Sequence, residues 1–120
     1  MSKRVVIVED YEPIADVEST ILSLAGFDVI IASTGEEALK IIENRTPNVV
    51  ILDLMLSGKL SGVGVLDAIR KDGKQTPAVI VISALIGGKQ QPDFSQYENV
   101  HIMSKPFKVR EITELVKKLT

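Results

Sequence analysis

Short runs of apolar, mostly β-branched residues recur along this chain and alternate with stretches of helical periodicity. Five such runs are present: Arg4–Val8, Asp28–Ala32, Val49–Asp53, Ala78–Ser83 and Val100–Ser104. Most of them are continuously apolar, a pattern typical of strands that are buried on both faces of a parallel sheet. Because strand and helix patterns alternate with short links, we predict an α/β fold, a doubly wound five-stranded parallel sheet with helices on both faces.

The stretches between the runs carry the spacings of amphipathic helices. Thr34 and Glu37 have capping-box spacing at the start of the second helix. Gly26 and Gly73 are expected to end the first and third helices. The apolar stripes of the first three helices and of the last one are Ile14, Val17, Ile21 and Leu24; Ala38, Ile41 and Ile42; Val65, Leu66 and Ile69; and Val109, Ile112, Val116 and Leu119.

The composition is that of an ordinary globular protein, and 120 residues suit a single domain spanning 1–120. The net charge of −2 provides no general attraction to nucleic acids or anionic membranes. There is no cysteine, which excludes disulfides, thiolate metal sites and thiol catalysis. No apolar segment is long enough to span a membrane, and the first apolar run is too short for a signal peptide. We therefore expect a cytoplasmic location, without direct nucleic-acid binding or membrane association.

Polar residues stand where four of the predicted strands end. They are Glu9 and Asp10 after the first strand, Asp53 on the third, Ser83 on the fourth, and Ser104, Lys105 and Pro106 at the fifth. Right-handed crossovers bring the carboxyl ends of parallel strands to one edge of the sheet, where ligands bind in such folds. If these strands are neighbours, three carboxylates, a hydroxyl and an ammonium group converge on one site.

This set of groups suits phosphoryl chemistry at a divalent cation. Three neighbouring carboxylates need a cation, and oxygen ligands without histidine or cysteine suit Mg²⁺ or Mn²⁺. A lysine can recognise a phosphate as a point charge, and an aspartate can itself be phosphorylated to an acyl phosphate. Burying the carboxylate of Asp53 in an apolar run without a partner would be costly, so this residue is the strongest functional candidate.

The chain resembles the receiver domain of bacterial two-component response regulators. The resemblance is carried by Glu9 and Asp10 after the first strand, by Asp53 in the third, by Ser83 and by the Lys105–Pro106 pair, in the same order and nearly end to end. It implies a flavodoxin-like sheet with strand order 2-1-3-4-5, as in the chemotaxis receiver. It also implies a signalling switch rather than an enzyme.

The resemblance assigns a role to each acidic residue. Asp53 is expected to accept a phosphoryl group from a histidine kinase or a histidine phosphotransfer protein. Glu9 and Asp10 are expected to hold Mg²⁺, together with Asp53 and the backbone carbonyl of Met55. The downstream output domain or protein is unknown from the sequence, and dimerisation stays open.

Further roles follow for the residues on the fourth and fifth strands. Ser83 is expected to bond a phosphoryl oxygen, and Lys105 is expected to pair with the phosphoryl group. The Lys105–Pro106 peptide bond is expected to be cis. Ile102 stands where receivers of this kind usually have an aromatic residue that takes part in the switch, so this chain lacks that aromatic side chain.

Two segments depart from the family pattern. The loop after Asp53 carries one residue more than is usual in the family, which leaves the start of the third helix open. Residues 85–103 have a poor helical signal because of their glycines, a proline and many polar residues, so we expect a short or irregular fourth helix there. Phe94 and Tyr97 are its candidate apolar anchors.

Two other functions compete with the phosphorylated receiver. A pseudo-receiver would act as a phosphorylation-independent protein-interaction module, which the altered segment 85–103 favours and the complete acid, hydroxyl and lysine set disfavours. A hydrolase with an aspartyl-phosphate intermediate would need a second aspartate two residues after the nucleophile, where this chain has Met55.

Overall fold

The five predicted strands pair into one parallel sheet. The computed structural model describes residues 3–84 and 92–120. The strands are β1 (Arg4–Val8), β2 (Asp28–Ala32), β3 (Val49–Asp53), β4 (Ala78–Ser83) and β5 (Val100–Ser104). Their order is β2-β1-β3-β4-β5, which confirms the predicted topology. The three central strands are almost wholly buried, whereas the edge strands β2 and β5 are partly exposed.

Four α-helices cover the two faces of the sheet in the part of the chain that the structure describes. They are α1 (Glu12–Leu24), α2 (Gly35–Arg45), α3 (Gly62–Ile69) and α4 (Val109–Leu119). Side chains of a strand point alternately to opposite faces, so Val5 and Ile7 join the core under α1 and α4, whereas Val6 and Val8 join the core under α2 and α3. None of these helices is long and apolar enough to cross a membrane.

The buried face of α1 differs from the apolar stripe read from the sequence. Val17 and Leu24 of that stripe are 51% and 84% exposed, and the residues that α1 buries are Ala15, Glu18 and Leu22. The helix exists where it was predicted, but its orientation against the sheet was wrongly inferred. Ala15 is a small buried residue, and Leu22 packs in the same core as Val5 and Ile7 of β1.

The start of α3 is settled by a hydrogen-bonded cap and a close backbone contact. Ser61 caps the helix, because its Oγ accepts a hydrogen bond from the Gly64 amide at 3.0 Å. A Cβ atom on Gly62 would lie only 2.5 Å from the Cα of Leu54, so glycine is required where α3 meets the end of β3. The α-helix ends at Ile69, earlier than the predicted Gly73, and a 3₁₀ turn spans Lys71–Gly73.

The irregular segment before β5 lies partly outside the described residues, which exclude 85–91. Its described part, 92–99, forms turns rather than a helix. Phe94 is buried in the core under α2 and α3, and Tyr97 packs against the same core while its hydroxyl donates to Asp67. The two aromatics therefore anchor this segment as predicted.

Candidate functional site

The ends of β1, β3, β4 and β5 bring most of the predicted polar residues to one edge of the sheet. Asp53 pairs with Ile82 across β3 and β4, and Ser83 pairs with Ser104 across β4 and β5. Glu9 follows β1, and its amide donates to Ala32 at the end of β2. These side chains come from chain segments as much as 96 residues apart.

The ammonium group of Lys105 lies between two buried carboxylates. Its Nζ is 3.0 Å from Oε1 of Glu9 and 2.9 Å from Oδ2 of Asp53, and both acids are buried. Burial opposes the charge on Lys105, but the bonds to Asp53 and Glu9 outweigh it and raise the pKa of the lysine. Lys105 therefore stays protonated and neutralises part of the negative charge at this edge.

Three carboxylates form a group of the size that a metal ion needs. Glu9, Asp10 and Asp53 each place one oxygen within 4.8 Å of the others. Burial, and then the neighbouring Asp53, raises the pKa of Glu9 to about 7, because an ionised Glu9 is hard to accommodate beside a second acid. Excess negative charge and an all-oxygen donor set fit Mg²⁺ or Mn²⁺.

Backbone amides hold two of the carboxylates in place. Oδ1 of Asp53 accepts a hydrogen bond from the Met55 amide at 3.0 Å, and Oδ2 of Asp10 accepts one from the Ser57 amide at 2.9 Å. Burial opposes ionisation of Asp10, but the bonds from Ser57 lower its pKa overall. The loop after β3 thus orients both acids, a contribution that residue types alone did not reveal.

The remaining predicted residues surround this centre. Ser83 is fully buried at the end of β4, and the amide of Lys105 donates to its carbonyl oxygen at 3.1 Å. The Lys105–Pro106 peptide bond is cis. Ile102 is 41% exposed on β5, and Met55 has an exposed side chain next to the site.

One acidic residue near the site was missed by the sequence analysis. Glu18 lies on the buried stripe of α1, with an exposure of 3%. The available signal was its spacing from Ala15 and Leu22, three and four residues away, which matches a helix face as well as the more apolar stripe does.

The fold places this chain among the doubly wound α/β proteins, in which ligands bind outside the carboxyl ends of the strands, the edge where the three acids lie. The family model for the response regulator receiver domain matches residues 5–117. This chain therefore belongs to the response regulator receiver domain family, whose members are signalling domains of two-component systems.

Known proteins agree with this membership. The chain is 34% identical over 122 residues to the alkaline phosphatase synthesis transcriptional regulatory protein PhoP of Bacillus subtilis (strain 168), covering 98% of this chain and 48% of that protein. It is also 34% identical over 110 residues to the probable transcriptional regulator ycf27 of Porphyridium aerugineum, with coverage of 92% and 45%. The chain thus spans about half the length of these curated relatives.

Solved structures share the whole fold. The receiver domain of Francisella response regulator 1452 superposes with a TM-score of 0.88 at 28% identity, covering 98% of this chain and 96% of the other. A CheY-like receiver domain from Methylobacillus flagellatus has a TM-score of 0.83 at 20% identity with complete coverage of both chains, which supports the fold alone.

Proposed function

We propose that this domain is a phosphorylation-dependent switch of a two-component phosphorelay, in which Asp53 accepts a phosphoryl group. The observation that carries the proposal is the Lys105 ammonium group within 3.0 Å of both Glu9 and Asp53, beside a carboxylate group suited to a divalent cation. An acidic cluster that contains a lysine can accommodate an incoming anion, because Lys105 can remain paired with the phosphoryl group when Asp53 becomes an acyl phosphate.

The donor is a phosphohistidine of a histidine kinase or a histidine phosphotransfer protein. An oxygen of Asp53 forms a bond to phosphorus while the phosphorus–nitrogen bond breaks, and its electron pair returns to the imidazole nitrogen. The contacts of Asp53 with Lys105 and the Met55 amide fix its carboxylate orientation for this in-line attack. Ser83 then donates its hydroxyl hydrogen to a phosphoryl oxygen.

Glu9, Asp10 and Asp53 are the residues that would hold Mg²⁺, with Mn²⁺ as a substitute, and the backbone carbonyl of Met55 would be a further protein ligand. The bound ion supplies positive charge to the phosphoryl oxygens as the transfer proceeds. The pKa of Glu9, raised to about 7 by burial and by Asp53, supports this assignment, since a cation at this position would relieve the carboxylate repulsion.

The relatives suggest what the switch controls. Two of them are described as transcriptional regulators about twice as long as this chain. We propose that the phosphorylated domain signals to an output domain or an output protein, and that the domain itself is not an enzyme that turns over a substrate. A cytoplasmic location fits this role.

Acetyl phosphate with Mg²⁺ tests the phosphoacceptor directly. Intact-mass spectrometry should show the gain of one phosphoryl group on the purified domain, which should disappear in Asp53→Ala and when EDTA is added. Asp16→Asn removes an exposed acid from α1 and serves as the matched control, which should be labelled normally. Equal labelling of the wild type and Asp53→Ala would refute Asp53 as the acceptor.

The pseudo-receiver makes the opposite prediction for the same experiment. If the wild-type domain gains no phosphoryl group and beryllofluoride with Mg²⁺ leaves its amide spectrum unchanged, the interaction-module function replaces the switch. Steady release of phosphate from a phosphoester would instead support the hydrolase. The hydrolase is disfavoured because Met55 stands two residues after Asp53, where a second aspartate would be needed.

A further inference from the structure

Helix α1 carries a glutamate in the middle of the stripe that it packs against the sheet. Glu18 is 3% exposed, between Ala15 at 2% and Leu22 at 0%. Its Oε2 atom is buried and has no hydrogen-bond partner. A buried carboxyl oxygen without a partner destabilises a fold, and a leucine or valine would satisfy the packing better. This position therefore carries a cost that packing does not explain.

The carboxyl group of Glu18 lies on the same side of the sheet as the phosphoacceptor site. Leu22, one turn further along α1, packs in the core that contains Ile7 of β1 and Ile51 of β3. Glu9 and Asp53 lie two residues beyond Ile7 and Ile51, so their side chains point to this same face. Glu18 is therefore buried on the face of the sheet to which these two acids point.

Electrostatic coupling between Glu18 and the site supports this placement. Burial raises the pKa of Glu18 to about 7, and the charges on Glu9 and Asp53 add to the rise, while Lys105 opposes it. Charges that interact through the protein interior are screened less than charges at the surface. The negative charge of ionised Glu18 therefore interacts with the carboxylates that would bind the cation.

We propose that Glu18 is a positioning residue of the phosphoacceptor site, a fourth acid outside the ligand set that strengthens the binding of a divalent cation by Glu9, Asp10 and Asp53. This inference rests on the proposed magnesium site. A negative charge buried on the same side of the sheet as the ligands attracts a doubly charged ion, and by linkage the ion favours the ionised form of Glu18 to the same extent. A fourth acid would also increase the dependence of phosphorylation on the cation, because it repels an unneutralised phosphoryl group.

The affinity for Mg²⁺ tests this role. It is measured by titrating Mg²⁺ into metal-free protein and following the heat of binding and the amide chemical shifts. Glu18→Gln keeps the shape and removes the charge, and it should weaken Mg²⁺ binding on the order of tenfold, within the range typical of coupled sites. Glu18→Leu should weaken binding to the same extent, although it should fold more stably. Asp16→Asn, an exposed acid on the same helix, should change the affinity less than twofold because solvent screens its charge.

The outcomes separate this inference from the proposed function. Unchanged affinity in Glu18→Gln, with normal binding by the wild type, overturns the role of Glu18 and leaves the magnesium site intact. Loss of affinity in Glu18→Leu but not in Glu18→Gln also overturns it, because shape rather than charge would then matter. If the wild type does not bind Mg²⁺, the metal assignment and this inference both fail. Equal weakening in the two Glu18 variants, with Asp16→Asn unaffected, supports the proposal.

Discussion

Replacing Glu18 with glutamine should make the metal-free domain less sensitive to pH. Burial raises the pKa of Glu18 from 4.5 to about 7 in the folded protein. Between these values the folded state keeps a proton that the unfolded chain releases, so the free energy of unfolding falls as the pH rises. The stabilising effect is complete below the unfolded pKa and is lost as the pH passes through the folded pKa.

The size of the effect follows from the shift of the pKa. Each pKa unit corresponds to about 1.4 kcal/mol, so the change from 4.5 to about 7 amounts to about 3 kcal/mol over the whole pH window. About 2 kcal/mol of this loss is expected between pH 5 and pH 8. Glu9 acts in the same direction, because its pKa is also raised to about 7 by burial and by Asp53. The wild type should therefore lose more stability than Glu18 alone explains.

Urea unfolding with EDTA, followed by circular dichroism at pH 5 and pH 8, measures the difference. The decline in unfolding free energy should be smaller in Glu18→Gln than in the wild type by about 2 kcal/mol. Asp16→Asn controls for the loss of an acid from the same helix and should decline like the wild type. If Glu18→Gln declines as steeply as the wild type, Glu18 does not keep a proton in the folded state and the reasoning fails.

Two further substitutions probe the framework around the site. Gly62→Ala should cost about 3 kcal/mol in urea unfolding, because the new Cβ would lie 2.5 Å from the Cα of Leu54. Gly26→Ala is the control, because a Cβ atom there would meet open space although the φ of Gly26 is +97°, and it should cost about 1 kcal/mol. An equal loss of stability in the two alanine variants would contradict the steric clash at Gly62. Arg70→Met should destabilise the protein by about 3 kcal/mol, because the guanidinium group donates to the carbonyl oxygens of Pro77, Glu98 and Asn99. In Arg70→Met, hydrogen exchange should show lost protection of the Val79 amide, which donates to the carbonyl oxygen of Asn99. The control Lys71→Met, at an exposed neighbouring residue, should leave the protection of this amide unchanged.

Strands and most helix faces could be predicted because their signals are local. Five apolar runs form the five strands, and the third helix buries the stripe of Val65, Leu66 and Ile69 that its spacing indicated. The Thr34 cap is also present, since its Oγ1 accepts a hydrogen bond from the Glu37 amide at 3.1 Å. In each case the residues that set the pattern lie within a few positions of one another.

The orientation of α1 shows where such local signals stop. Two candidate faces exist on this helix, and two of the four residues of the more apolar one, Val17 and Leu24, are left exposed. The helix instead buries Ala15, Glu18 and Leu22, and Leu22 packs in the core with residues of β1 and β3 that are distant in the chain. Glu18 is buried as a consequence, and no count of apolar residues would have selected it.

The cis bond between Thr76 and Pro77 was also unforeseen.

The sequence by itself determined the alternation of strands and helices and the residues at which the strands end, because these depend on periodicity and on where apolar runs stop. Resemblance to the receiver family added the strand order. The tertiary structure alone decided that Lys105 bonds both Glu9 and Asp53, that the Ser57 amide holds Asp10, and that α1 turns Glu18 inward. These contacts join residues far apart in the chain, and their distances follow from how the helices pack on the sheet, which no local pattern encodes.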